Sequence, residues 1–144
     1  SAASDVYKRQ FLICPHPVMQ NRIVPDSYEN IIQVEDFTTN EMMCVADLLI
    51  TDYSSVIFEF SLLDKPMVFY CYDYDEYNRN FYLDYKKDLP GKLLRSYSEL
   101  EAYICKGDFN EADRAKEFRK RYMSACDGKS SERLARVLEK LLKE

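Results

Sequence analysis

The sequence predicts an α/β fold with parallel strands, and three observations carry that prediction. At 144 residues with 47% apolar content, the chain is large enough for one ordinary core and short for two. Short apolar runs alternate with helix-like segments, the pattern of repeated βα units. An apolar run, Leu48 to Ile50, ends abruptly in Thr51-Asp52-Tyr53-Ser54-Ser55, and a second apolar segment follows at once. That is strand, polar turn and helix, the arrangement in which open α/β sheets hold ligands beyond the carboxyl ends of their strands.

The elements follow in order. Phe11 to Cys14 is a short apolar strand stopped by Pro15. Pro17 keeps His16 extended, because the residue before a proline is pushed out of the α region. Ile31 to Val34 is a second strand. Thr38 with Glu41 forms a capping box for a short helix through Ala46, ahead of the Leu48 to Ile50 strand. Ser55 to Leu63 fits a buried helix, and Asp64-Lys65-Pro66 turns the chain into a strand over Met67 to Tyr70. The Tyr- and Asp-rich connection from Cys71 to Pro90 lacks periodicity and has too many aromatics for disorder. Leu93 and Leu94 form a last strand. Ser98 with Glu101 reads as a second capping box, opening a helix to about Lys106 that Gly107 stops. Two charged amphipathic helices, about Asn110 to Met123 and Ser130 to Lys143, complete the chain.

Residues 1–10, SAASDVYKRQ, match the in-frame translation of a transposase sequencing adapter. They are expected to be an adapter artefact, or else a disordered tail, and not part of the fold. On that reading the natural gene continues upstream, and residues 11–144 form an incomplete domain.

Composition excludes several functions. A net charge of -5 with dispersed Lys and Arg offers no basic stripe, so no nucleic-acid partner is expected. The five cysteines form no CxxC pair and read as reduced core thiols of a cytosolic protein, with no metal site and no cofactor expected. No apolar run approaches the roughly 20 residues of a membrane-spanning helix.

In the Thr51 to Ser55 turn, Ser54, Ser55 and the amides opening the next helix can bind phosphate oxygens, while Thr51 and Asp52 shape the turn or contact a polar ligand. An ordinary N-cap by Asp52 or a serine explains the same residues. A phospho-acceptor role for Asp52 lacks the neighbouring acidic pair and lysine. His16, the only histidine, can serve as general base or charge stabiliser, or pack as a loop residue. Glu59, a carboxylate in an apolar helix, needs a partner if buried, and its ligand-binding and structural explanations stand equal.

HPVMQ after an apolar strand, then ADLLITDYSSVIFEFSLLDKPMVFYCYDYDEY, FYLDYKKDLPG and the capped SYSELEAYI helix together resemble the CDP-glycerol:glycerophosphotransferase family of teichoic-acid primases and polymerases. The ordered combination covers nearly all of Phe11 to Lys106. The resemblance implies a Rossmann-like parallel sheet with flanking helices, the C-terminal half of a GT-B fold, holding CDP-glycerol or CDP-ribitol. It further implies transfer of the polyol phosphate to an acceptor hydroxyl with release of CMP, His16 as the catalytic residue, and Thr51, Asp52, Ser54 and Ser55 as the phosphate turn. Glu59 is added as a substrate-binding candidate. A lipid-linked polyol-phosphate acceptor would meet a missing N-terminal domain at the inner face of the plasma membrane. Two departures from the family pattern are Cys14, where a basic residue is expected, and Asn78-Arg79-Asn80 before the FY pair. The alternatives are a GT-B nucleotide-sugar glycosyltransferase and a non-catalytic α/β binding module.

Overall fold

The computed structural model describes residues 9–15, 28–34, 36–77 and 83–143. Five strands are described: β1 (Phe11–Ile13), β2 (Ile31–Gln33), β3 (Leu49–Thr51), β4 (Met67–Tyr70) and β5 (Lys92–Leu94). The helices among them are α1 (Thr39–Val45), α2 (Val56–Phe60), α3 (Tyr97–Lys106), α4 (Ala112–Tyr122) and α5 (Ser130–Leu141). Every strand pairing is parallel, as the βα alternation requires. The strands form two ladders, β1-β2 and β3-β4-β5.

The core belongs to the three-stranded sheet. Central β4, MVFY, is buried at Met67, Val68 and Phe69, the continuous apolar run of a parallel strand covered on both faces. Alternation along the strand divides the core. Met67 and Phe69 pack with Ile57 and Phe60 of α2 and Ala115 and Phe118 of α4, whereas Val68 packs with Leu94 of β5 and Tyr103 and Ile104 of α3. Helices therefore cover both faces, the layering of a doubly wound fold. By contrast, β1 and β2 contribute no buried residue.

Capping chemistry sets the helix starts. At α1, the Thr38 side chain accepts from the Glu41 amide at 3.3 Å and the Glu41 carboxylate accepts from the Thr38 amide at 2.8 Å, as predicted. The second box differs from expectation. Its serine is Ser96, which accepts from the Glu99 amide at 3.3 Å, not Ser98 with Glu101. SYSELE contains both patterns, and β5 ends at Leu94, so the earlier serine stands where the chain turns into α3. Gly107 ends that helix in the left-handed region at φ 69°, as the sequence suggests.

The predicted Ser55 to Leu63 helix is shorter than expected: after Phe60 it tightens into a 3₁₀ turn over Ser61–Leu63. The Ser61 hydroxyl donates to the Phe58 carbonyl at 2.6 Å, and Asp64 closes the turn in the left-handed region at φ 52°. Asp64 also pairs with Arg119 of α4 at 2.8 Å, while Lys65 donates to the Cys44 and Ala46 carbonyls at 3.0 and 2.6 Å. The corner before β4 is thus tied to α4 and to the end of α1.

The expectation of core thiols holds only for Cys71; Cys14, Cys44, Cys105 and Cys126 are free and exposed. Their apolar neighbours in sequence do not bury them, because short elements leave alternate positions facing water. Arg9, in the segment set aside above, donates to the Ile104 carbonyl at 2.7 Å and lies over the Phe109 ring at 5.0 Å.

Candidate functional site

β3 and β4 run parallel, with Thr51 in register with Phe69, so the turn after β3 and the connection after β4 leave the same end of the sheet. Thr51 is the last residue of β3 and is half-buried. Asp52 is exposed, and its Oδ1 accepts from the Tyr53 amide at 2.7 Å. Ser54 is half-buried, and its Oγ accepts from the Val56 amide at 3.3 Å. Ser55 is exposed at the N-cap position but makes no side-chain cap bond. The two serines therefore have different jobs: Ser54, just ahead of the N-cap, accepts from the Val56 amide in a local turn, which leaves its O–H free to donate, and Ser55 offers its whole hydroxyl to solvent.

Helix α2 spans five residues before it tightens, so little macrodipole accumulates behind this turn. Anion binding here would rest on hydroxyls and amides instead. Glu59 is exposed, one helical turn beyond Ser55. Its position removes the buried-carboxylate problem that the sequence raised. His16 lies outside the described residues, as do Asn78, Arg79, Asn80, Phe81 and Tyr82. The structure thus brings together Thr51, Asp52, Ser54 and Ser55, with Glu59 on the adjoining helix. Among the described residues, no group of three or more His, Cys, Asp or Glu side chains could hold a metal ion.

The contacts of Tyr53 with Asp73 and Tyr77 escaped the sequence reading. The half-buried Tyr53 side chain turns away from the serines, stacking on Tyr77 with centroids 3.6 Å apart and planes at 19°. Its hydroxyl donates to Asp73 Oδ1 at 2.9 Å. Burial and that bond push the Tyr53 phenol well above its ordinary range, so it stays protonated and remains a donor. The neighbouring Cys71 thiol is pushed up to about 11, chiefly by burial. Tyr53 is a tyrosine between polar turn residues, and only the abundance of tyrosine, twelve in this chain, hinted at a packing role for such side chains.

The DLPG segment is structural. Asp88 pairs with Arg121 at 2.7 Å, Leu89 and Pro90 are buried, and a Cβ on Gly91 would lie 1.9 Å from the Met67 carbonyl oxygen.

Residues 6–140 match the family described as CDP-Glycerol:Poly(glycerophosphate) glycerophosphotransferase. The chain belongs to this family. Among its curated relatives, it is 37% identical over 128 residues to the teichoic acid ribitol-phosphate polymerase TarL of Staphylococcus aureus (strain NCTC 8325 / PS 47), covering 85% of this chain and 23% of that protein. It is also 37% identical over 130 residues to the teichoic acid glycerol-phosphate primase of Bacillus subtilis (strain 168), covering 88% of this chain and 34% of that protein. The structure of the wall teichoic acid polymerase TagF superposes with a TM-score of 0.77 at 29% identity, over 97% of this chain and 37% of that one. A TagF histidine-to-asparagine variant soaked with CDPG gives 0.72. This similarity, with the parallel strands and covering helices, bears out the Rossmann-like α/β class of a GT-B fold. The chain spans only about a fifth to a third of the curated relatives it matches. No helix among the described residues is long and apolar enough to cross a membrane.

Proposed function

We propose that this family member supplies the donor-binding part of an enzyme that moves glycerol phosphate or ribitol phosphate from a CDP-polyol to an acceptor hydroxyl in teichoic acid or capsular polymer synthesis. The observation that carries the reading is the hydroxyl-rich turn at the carboxyl end of β3, lying within a family match over residues 6–140. In this reaction the acceptor oxygen attacks the distal phosphorus, the bond from that phosphorus to the bridging oxygen breaks, and CMP leaves. Little covalent work falls to the protein; positioning and charge stabilisation dominate.

The roles follow from the side chains. Ser54 donates its O–H to a phosphate oxygen while its lone pair keeps the Val56 amide. Ser55 adds a second hydroxyl, and Thr51 a third at the strand end. Asp52, whose charge would repel phosphate, shapes the turn through the Tyr53 amide. Glu59, exposed near Ser55, suits hydrogen bonds from polyol hydroxyls. His16 is assigned the stabilisation of phosphate charge or the acceptance of the proton that the attacking hydroxyl loses. Residues 11–144 are read as an incomplete domain, with a lipid-linked acceptor engaged elsewhere in the whole protein at the membrane's inner face.

Both glycerol and ribitol proteins occur among the relatives, so donor choice is part of the test. Calorimetric titration of the chain with CDP-glycerol, CDP-ribitol and a nucleotide sugar should show binding to a CDP-polyol alone. Preference for the nucleotide sugar would make this a glycosyltransferase domain, and binding of none would favour a non-catalytic module. In a full-length relative, replacing the residue equivalent to His16 by alanine should abolish transfer; near-normal turnover would remove His16 from the mechanism.

A further inference from the structure

The turn after β3 is not held by its own residues alone. Tyr53, at its centre, reaches into the connection after β4, where it meets Asp73 through the hydroxyl, Tyr77 through the stacked ring and Tyr85 through a tilted contact at 5.5 Å. The connection is itself fixed at both levels. The Cys71 amide donates to the Leu94 carbonyl of β5 at 2.9 Å, which anchors the start of the segment to the sheet. The Asp73 carbonyl accepts from the Glu76 and Tyr77 amides, each at 2.9 Å, a tight turn that brings the Asp73 carboxylate and the Tyr77 ring to the same phenol. Tyr85 is 6% exposed and meets buried Phe69 edge-on, so the far side of the cluster is core.

We propose that Tyr53, Asp73 and Tyr77 form a clamp that sets the conformation of the Thr51 to Ser55 turn, so that the segment after β4 governs how the turn after β3 receives the donor phosphates. The proposal rests on the donor-binding reading above. Tyr53 lies one residue before Ser54, and swinging its backbone would move the Ser54 oxygen off the Val56 amide, already at 3.3 Å. A hydroxyl that has lost this bond no longer points its O–H in a fixed direction. Asp73 and Tyr77 are therefore positioning residues: they act on the site through Tyr53, and this gives the aromatic segment a structural task.

The test separates the clamp from the donor reading by using two measurements on the 144-residue chain. NMR-detected hydrogen exchange reports the Val56 amide, with the Val68 and Phe69 amides of β4 as an internal control for global stability. Titration with CDP-glycerol reports the site. Tyr53→Phe and Asp73→Ala should each speed exchange at Val56 and weaken CDP-glycerol binding by about fivefold, the worth of one ordinary hydrogen bond. Both should leave β4 exchange unchanged. Asp73→Asn, whose amide oxygen still accepts from the phenol, should restore both values. Unaltered Val56 exchange in Tyr53→Phe overturns the clamp whatever the affinity does. Faster exchange with unaltered CDP-glycerol affinity shows a clamp on a turn that does not hold the donor, which overturns the donor reading and this proposal with it. A loss of β4 protection in parallel with Val56 reduces the three residues to general packing and also overturns the proposal.

Discussion

Replacing Gly91 by alanine should destabilise the fold while sparing the site. The added Cβ would lie 1.9 Å from the Met67 carbonyl oxygen and 2.6 Å from its carbon, both backbone atoms that no rotamer change can remove. Met67 is fully buried, opens the central strand and pairs with Leu49 of β3, so relief requires parting β5 from β4 or shifting β4 within the sheet. Forcing atoms into a packed interior costs about 1–3 kcal/mol, and weakening one ladder bond adds about 1 kcal/mol. Against this, alanine reduces the freedom of the unfolded chain by about 0.4–1 kcal/mol. The net expectation is a loss of about 1–3.6 kcal/mol, centred near 2. Urea unfolding followed by circular dichroism should show it as a midpoint lowered by about 1–2 M with an unchanged slope. Gly128→Ala is the control: nothing lies within 4 Å of its Cβ, and its φ of 76° leaves only the cost of a left-handed alanine, about 1 kcal/mol. A Gly91→Ala midpoint equal to wild type would refute the packing argument, and weaker CDP-glycerol binding at a temperature where the variant remains folded would place the DLPG turn in the site.

Other outcomes follow from the same geometry. Ser55→Ala should weaken CDP-glycerol binding severalfold without moving the urea midpoint, whereas Ser54→Ala should do both, because it also removes the hydrogen bond to the Val56 amide, worth about 1 kcal/mol; equal effects from the two would contradict the division of labour between them. Ser96→Ala should cost about 1 kcal/mol and Ser98→Ala much less, the reverse of what the Ser98-Glu101 pattern suggests. The folded-state Cys71 thiol titrates at about 11, above the ordinary 9.0, so folding favours its protonated form. Its contribution is fully present below pH 9 and is lost as pH rises through 11, and the raised phenols of Tyr53, Tyr85 and Tyr103 act in the same direction. Urea midpoints measured upward from pH 8 should therefore fall; a flat profile would contradict the burial of these groups. In the native chain, iodoacetamide should modify Cys44 and Cys126 well before Cys71, as mass spectrometry would reveal.

The sequence by itself determined the parallel α/β class, the Met67 to Tyr70 strand, the Thr38-Glu41 cap, the Gly107 stop and a turn rich in hydroxyls, because each is written in neighbouring residues through periodicity, capping or left-handed backbone. It also carried the ordered motifs of the family. Which of two overlapping capping patterns starts α3, which cysteine is buried and whether Glu59 faces water were decided by where strands end and which faces pack, and those depend on residues far apart in sequence. The same holds for Tyr53. Nothing within five residues of it shows that its hydroxyl meets Asp73 or that its ring lies on Tyr77, twenty and more positions away. The parallel pairing of β3 with β4 brings them together, and with them the two loops that form this site.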